Sequence, residues 1–446
     1  MTLLSIVRLA SIEIFLSILA AFSPIIPNSV ILVLFGIAAL KIAVMLRYDF
    51  DRDTHVRFPI EAASMFYEIG ILLRFLAGHI SSIRGLTATL FSAVLGIVLG
   101  ALLCKFLSWE KIQTSCDCHP ILFLLVFIVA GNGLLLLLYL LFRTNKGDAS
   151  IGFGVFTFQV PELTKIKLVL TAHFTWEAMQ NRKHKAYIWM LYADFIISIV
   201  LLLFIRETGT CLILLYFALV MAFLLLWKQG NVGVPKIAAA RLACSSHFPV
   251  VFGIVFFAVT GVTKRILYQV YPYRGADGEH AYQGLSGIAK KMVTLSTRLS
   301  GDSSQVTGAW QTIKHTAPIQ FNFNTKITIP YATSKEAISD FAYVSLVEAF
   351  GNLIALALLL LFIAALLWAV WRRGDMLAKA SAAMLLLQTL VQISGLVFRF
   401  CFTGVNIPFL STGGSTAISS FLFLTVLILS IQKNKTGGYI PPVLFF

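Results

Sequence analysis

The chain has 446 residues, 58% of them hydrophobic and only 12% charged, with a mean hydropathy of +0.87. Soluble domains carry about 25% charged residues and bury only about 75% of their unfolded surface at this size, so a soluble enzyme, a disordered chain and a coiled coil are excluded. The net charge of +15 sits mainly between apolar segments, so it reads as a topology signal of a polytopic α-helical membrane protein rather than as a nucleic-acid footprint.

A span needs about 20 apolar residues. Twelve segments qualify, with cores near 4–23, 29–46, 59–79, 86–107, 120–142, 161–179, 187–205, 209–227, 246–268, 340–371, 376–400 and 411–431. The third is the weakest, because it contains Glu61, Glu68 and Arg74. The first carries Arg8 and Glu13 without a clear small-residue cleavage site, so it reads as a retained span. Alternate connections are rich in Lys and Arg, from Arg47, Arg52 and Arg57 through Arg182, Lys183 and Lys185 to Arg372 and Arg373. The positive-inside rule then places both termini in the cytoplasm.

With that orientation the segment 270–338 faces outside. It is the one long polar stretch, and long loops in compact proteins usually carry function. Its β-branched run FNFNTKITIPYATS predicts an extended strand or loop wall. The six cysteines are scattered and none lies in this loop, so no disulfide framework is indicated.

Ionisable residues in or beside spans mark function or a buried contact. Glu162 and Lys165 are one turn apart at the outer start of a span, suited to a pair. Glu207 opens the outer end of another span. Asp340 starts the helix after the loop, either as a functional carboxylate or as an N-cap, and Glu348 follows two turns later. Arg265 and Arg274 stand at the other end of the loop. Asp194 reads as a helix–helix contact, and Lys165 is expected to outweigh Lys167. Cys116-Asp117-Cys118-His119 offers only a fragment of a metal site. These residues leave transporter, channel and lipid enzyme all open.

Residues 403–415, TGVNIPFLSTGGS, resemble the PxxSxGGS signature of the SEDS family, the RodA/FtsW/SpoVE proteins of cell-wall synthesis, at Pro408, Ser411, Gly413, Gly414 and Ser415. Four more motifs follow the family's order. Gln159, Glu162 and Lys165 match QPSE-x-x-K, Glu207-Thr208-Gly209-Thr210 resembles DLGT, Tyr282-Gln283 resembles the loop's YQ, and Ser339-Asp340-Phe341 with Glu348 and Gly351 is similar to TDFIF…EELG. The departures are Val160-Pro161 for Pro-Ser, Glu207 for Asp, Ala349 for the second Glu and Cys401 for a proline, and the glycine-rich stretch after YQ is missing.

The resemblance implies a ten-helix core, with 1–46 an added N-terminal hairpin. The core's first part is 47–269, the extracytoplasmic loop is 270–338, and 339–446 completes the core and tail. It further implies a lipid II polymerase at the outer face of the bacterial cytoplasmic membrane, working with a class B penicillin-binding protein. Asp340 takes the essential acidic position, as general base and holder of a divalent cation such as Mg²⁺. Arg265, Arg274, Lys290 and Lys291 are candidates for the pyrophosphate. Glu162, Lys165, Glu207, Gln283, Glu348, Pro408, Ser411, Gly413 and Gly414 would shape the cavity, the two glycines by allowing a tight turn. A lipid-precursor flippase and a non-catalytic scaffold for the transpeptidase stay open beside this reading.

Overall fold

The computed structural model describes residues 11–47, 54–78, 83–108, 110–142, 150–153, 156–182, 187–205, 207, 209–230, 304–372, 375–397, 405–411 and 414–435. The chain divides into two compact units, one of residues 1–104, 308–389 and 406–446, the other of 105–307 and 390–405. The predicted span 246–268 lies outside the described residues.

In the first unit, helices α1 (Ser11–Ala21) and α2 (Asn28–Arg47) form a hairpin packed on α3 (Thr54–Leu76). Helix α3 is the charged segment that looked weakest as a span, yet it is well enclosed. Residues 65–77 are buried without a break. Its polar groups find partners inside the protein. Arg57 Nε bonds Glu61 at 2.7 Å, Ser64 donates to Glu68 Oε1 at 2.7 Å, and Tyr67 donates to the Thr89 carbonyl at 2.8 Å, while Arg74 reaches the Thr89 hydroxyl. A charged span is tolerated where protein rather than lipid surrounds it.

Helix α4 (Ile83–Leu107) packs on the last helix, numbered α15 below (Gly414–Lys435), through Gly96 and Gly100. A Cβ on Gly96 would collide with the Ile418 carbonyl, and one on Gly100 would stand 2.8 Å from Thr425 Cβ. Small residues four apart let membrane helices approach closely.

The second unit begins with α5 (Glu110–Cys118) and α6 (Pro120–Phe142), then a two-stranded antiparallel hairpin, β1 (Ser150–Phe153) and β2 (Phe156–Gln159), with Ser150 opposite Gln159. Strand β2 runs directly into α7 (Val160–Arg182), which packs with α6, α8 (Ile188–Phe204) and α9 (Gly209–Gly230).

The described end of the polar segment lies mainly in the first unit. It forms α10 (Ser304–His315), an extended stretch over 317–333, and α11 (Ser334–Ile338). The extended stretch makes a wall, not a strand. It is fastened to helix ends by Ile327 N to Leu76 O at 2.9 Å, Asn322 N to Ala349 O at 2.9 Å, and the Ser23 hydroxyl to Phe323 O.

The single span expected at 340–371 is two helices, α12 (Ala342–Phe350) and α13 (Asn352–Arg372), broken at Gly351. Gly351 has φ +88°, and a Cβ there would stand 2.6 Å from the Pro318 carbonyl. The wall fills the break. Asn352 Nδ2 donates to the Ile313 and Thr316 carbonyls at 2.7 and 2.8 Å, and Leu353 N donates to Pro318 O at 2.8 Å. Helix α14 (Met376–Val397) and α15 complete the order.

Among the described residues, five helices are long and apolar enough to cross a membrane, at 86–107, 120–142, 352–369, 376–397 and 414–432, and three shorter ones are apolar. The protein is a multi-pass, all-α membrane protein. Gly351→Ala is expected to lower stability by about 2–4 kcal/mol through combined backbone strain and overpacking. Gly36→Ala, where a Cβ meets nothing within 4 Å, should be near neutral. Melting of both variants in detergent checks this.

Candidate functional site

Asp340 lies in a turn between α11 and α12, and local sequence fixes that turn. Thr333 and Glu336 form a capping box, with Thr333 N on Glu336 Oε2 at 2.8 Å and Glu336 N on Thr333 Oγ1 at 3.3 Å. The Glu336 carbonyl then accepts both the Ser339 and the Phe341 amides, at 3.2 and 2.9 Å. The Ser345 hydroxyl donates back to the Ala337 carbonyl at 2.6 Å. Asp340 is half-buried, one residue short of the cap position, which Phe341 occupies without a side-chain cap bond. The N-cap reading of Asp340 is therefore replaced by a carboxylate on a pinned turn.

The far motif joins it. Ser411 is fully buried, accepts the Ile407 amide at 2.9 Å, and donates its hydroxyl to the Ser339 carbonyl at 2.9 Å. Two segments singled out in the sequence thus meet through one hydroxyl. The loop carrying Ser411 is braced by Gln388 Nε2 on Asn406 O and by Asn406 Nδ2 on Thr416 Oγ1, both at 2.9 Å.

Of the two glycines expected to allow a tight turn, Gly414 does not make one. Gly414 simply opens α15, and a Cβ on it would meet Ser92 at an ordinary 3.5 Å. The positive φ, +64°, belongs to Phe409, beside buried Pro408. That conformation costs about 1–2 kcal/mol for a residue with a side chain. The buried ring offsets it, packing edge-on against Phe362 and Phe421 at centroid distances of 5.9 and 5.1 Å. Gly413 lies outside the described residues.

Glu348 does not stand on a common helix face with Asp340, because α12 begins after Asp340. Its Oε1 accepts the Thr328 amide at 3.3 Å, and its backbone carbonyl accepts the Gln320 side chain. Glu348 thus fastens the wall. Burial raises its pKa, partly opposed by the Thr328 amide. The folded protein therefore holds this proton more tightly than the unfolded chain, and the stability linked to it falls as pH rises above about 4.3, the unperturbed value. Melting followed from pH 4 to 7 should show a shallower decline in Glu348→Gln than in wild type.

In the second unit, Lys165 Nζ and Glu162 Oε1 pair at 2.7 Å on the first turns of α7, both buried. Glu207 is half-buried in the link between α8 and α9, where its amide donates to Leu202 O at 2.8 Å. Arg265, Arg274, Gln283, Lys290 and Lys291 lie outside the described residues. The Cys116 thiol is buried and pushed up to about 12, first by burial and then by Asp117 and Glu177. That opposes the thiolate a metal needs. Among the described residues no group of three His, Cys, Asp or Glu could hold a metal ion.

Asp194 is the helix–helix contact that its position predicted, but sequence reasoning missed Lys167 as its partner. Lys167 Nζ bonds Asn132 Oδ1 at 2.7 Å, Ser198 Oγ at 2.9 Å, and Asp194. Asp194 also accepts Asn132 Nδ2 at 2.8 Å and the Thr171 hydroxyl. Three helices, α6, α7 and α8, are joined by this network, whereas Glu162–Lys165 lies within one helix. The available signal was one Asn and one Asp, each alone in an otherwise apolar span. These interhelical bonds motivate the opposite ranking of the two lysines as a prediction. Lys167→Met should cost about 3–5 kcal/mol by stranding a buried carboxylate, more than Lys165→Met. Detergent melting of both, with Lys167→Met/Asp194→Leu recovering part of the loss, checks it.

Residues 328–437, which contain Asp340 and Ser411, match the FtsW/RodA/SpoVE cell cycle protein family. No curated protein matches the chain. Among solved structures, the chain is similar to a component of a peptidoglycan synthase complex that coordinates polymerization and crosslinking, at 20% identity and TM-score 0.56, over 84% of this chain and 97% of that one. Rod shape determining protein RodA of Thermus thermophilus gives 18% identity and TM-score 0.49, over 84% of this chain and 96% of that one.

Proposed function

We propose that the chain is a SEDS family member that acts in peptidoglycan synthesis, as a glycosyltransferase that polymerises lipid II. The observation that carries this reading is the Asp340 turn, where Ser411 ties the family's last motif to the backbone beside the carboxylate.

In the reaction the acceptor sugar's hydroxyl oxygen bonds the donor's anomeric carbon. The bond from that carbon to the undecaprenyl pyrophosphate oxygen breaks, and the electron pair leaves with the phosphate. The hydroxyl proton must go to a base within hydrogen-bond reach. Asp340, half-buried and held by the capping-box turn, is that base. A rigid mount keeps the carboxylate oriented through the attack.

Bound at the site, a divalent cation such as Mg²⁺ would neutralise charge at the leaving pyrophosphate. Asp340 would hold it as a single carboxylate ligand. It does not fit a cage of several protein carboxylates, given the absence of one among the described residues. The membrane in this reading is the bacterial cytoplasmic membrane, with both termini inside and the Asp340 turn outside. A class B penicillin-binding protein would cross-link the product strands.

A flippase needs an open polar path. The intramembrane network of Lys167 and Asp194 is instead closed by bonds among its own members. A scaffold that has lost the reaction is favoured by the departures at Val160-Pro161 and Ala349. Lipid II polymerisation by purified protein with Mg²⁺, with and without a class B partner, separates the two. Wild type should give glycan ladders, and Asp340→Asn should lose about 10²–10⁴-fold in rate at an unchanged melting temperature. Ladders from Asp340→Asn at the wild-type rate would overturn the mechanism, and none from wild type would favour the scaffold.

A further inference from the structure

Residues 329–332 form a β-turn closed by the Ala332 amide on the Ile329 carbonyl at 3.1 Å. Pro330 holds the second position at negative φ, and Tyr331 at the third has φ +63°. That combination is a type II turn, whose third position is normally glycine or asparagine. A bulky residue with positive φ is an outlier. Burial does not offset the strain here, as it does at Phe409, because Tyr331 is 71% exposed. The turn is nonetheless firmly seated. Ile327 and Ile329 are buried beneath it, and a Cβ on Gly308 of α10 would stand 2.5 Å from the Pro330 carbonyl. Strain retained at an anchored, solvent-facing aromatic points to contact with a ligand rather than to folding.

The neighbours indicate which ligand. From 324 to 334 the exposed residues other than Tyr331 are Asn324, Thr325, Lys326, Thr328, Thr333 and Ser334, all polar, and Pro330, while the apolar Ile319 and Phe321 are exposed ten or more residues earlier on the same wall. A ring anchored in lipid headgroups keeps apolar company. A ring whose near neighbours along the chain are mostly hydrophilic suits a saccharide, whose C–H face stacks on the aromatic surface while its hydroxyls find polar partners. Two residues on, Thr333 opens the capping box that leads into the Asp340 turn. The ring and the carboxylate are therefore carried on one short hydrogen-bonded run.

We infer that Tyr331 is a sugar-binding platform, on which a pyranose ring of the lipid-linked substrate rests as it is presented to Asp340. This rests on the reading of Asp340 as the polymerisation site. It adds a specificity residue that recognises the saccharide and not its lipid carrier.

The test is binding in nanodiscs, with lipid II and undecaprenyl pyrophosphate as the two probes. Tyr331→Gly should weaken lipid II binding about tenfold, the equivalent of one stacking contact, and leave undecaprenyl pyrophosphate unchanged. Tyr331→Phe, which keeps the ring, should stay close to wild type. Tyr331→Gly should also melt higher than wild type, because glycine relieves the turn, so weaker binding cannot be ascribed to misfolding. Unchanged lipid II affinity in Tyr331→Gly would overturn the platform. Equal weakening for both probes would also overturn it, and would assign the ring to the membrane or the pyrophosphate. So would a wild type that binds lipid II no better than the sugarless lipid. Polymerisation is measured separately with Asp340→Asn. Failure of the reaction alongside sugar-dependent binding at Tyr331 would sink the polymerase reading and support the platform.

Discussion

The geometry of the candidate site depends on one hydroxyl. Ser411 takes a proton donor from its own loop, the Ile407 amide, and gives its proton to the Ser339 carbonyl, in a position closed to water. A buried carbonyl and amide that lose such a partner cost about 1–3 kcal/mol each. The bond therefore selects one arrangement of two segments, and the rest follows from it. Phe409 accepts an unfavourable backbone angle next to it, and the capping box sets the other side of the Asp340 turn. The carboxylate is placed by backbone bonds, with side chains serving as staples.

Both units invert the layout of a soluble protein. The spans richest in charge, α3 and α7, are enclosed by their own unit. The most apolar of the long spans, 120–142, has a mean hydropathy of 2.8 and is the least buried, at 22%. In lipid the apolar face needs no cover, so polar groups choose the interior, where each can be satisfied. The Lys167–Asp194 network and the Arg74–Tyr67–Thr89 contacts are the two results.

This inversion also explains what the sequence could and could not reveal. Apolar length located the spans and the membrane class, because composition alone controls that choice. The motif residues around Asp340 and Ser411 were legible as residues. Their connection was not, since a side chain reaching a carbonyl 72 positions away leaves no periodic trace. The break at Gly351 was hidden because long apolar runs continue beyond Glu348 and Asn352 on either side of it, and only the wall passing through it reveals the turn. Lys167 was underrated because its partners lie on two other helices. Gly414 was credited with a bend that Phe409 makes, since glycine is the residue one expects at positive φ.

The Ser411–Ser339 bond also bears on how the protein comes into being. Its two ends are 72 residues apart in sequence, and the later end precedes the last helix. At a synthesis rate of about 5–20 residues per second, the turn carrying Asp340 emerges roughly 4–14 s before its staple exists. During that interval the carboxylate has its capping box but not its clamp. A nascent chain in that window is a membrane protein whose candidate site is still unclamped. A ribosome that stalls before residue 411 would leave behind a chain whose Asp340 turn never receives its Ser411 staple.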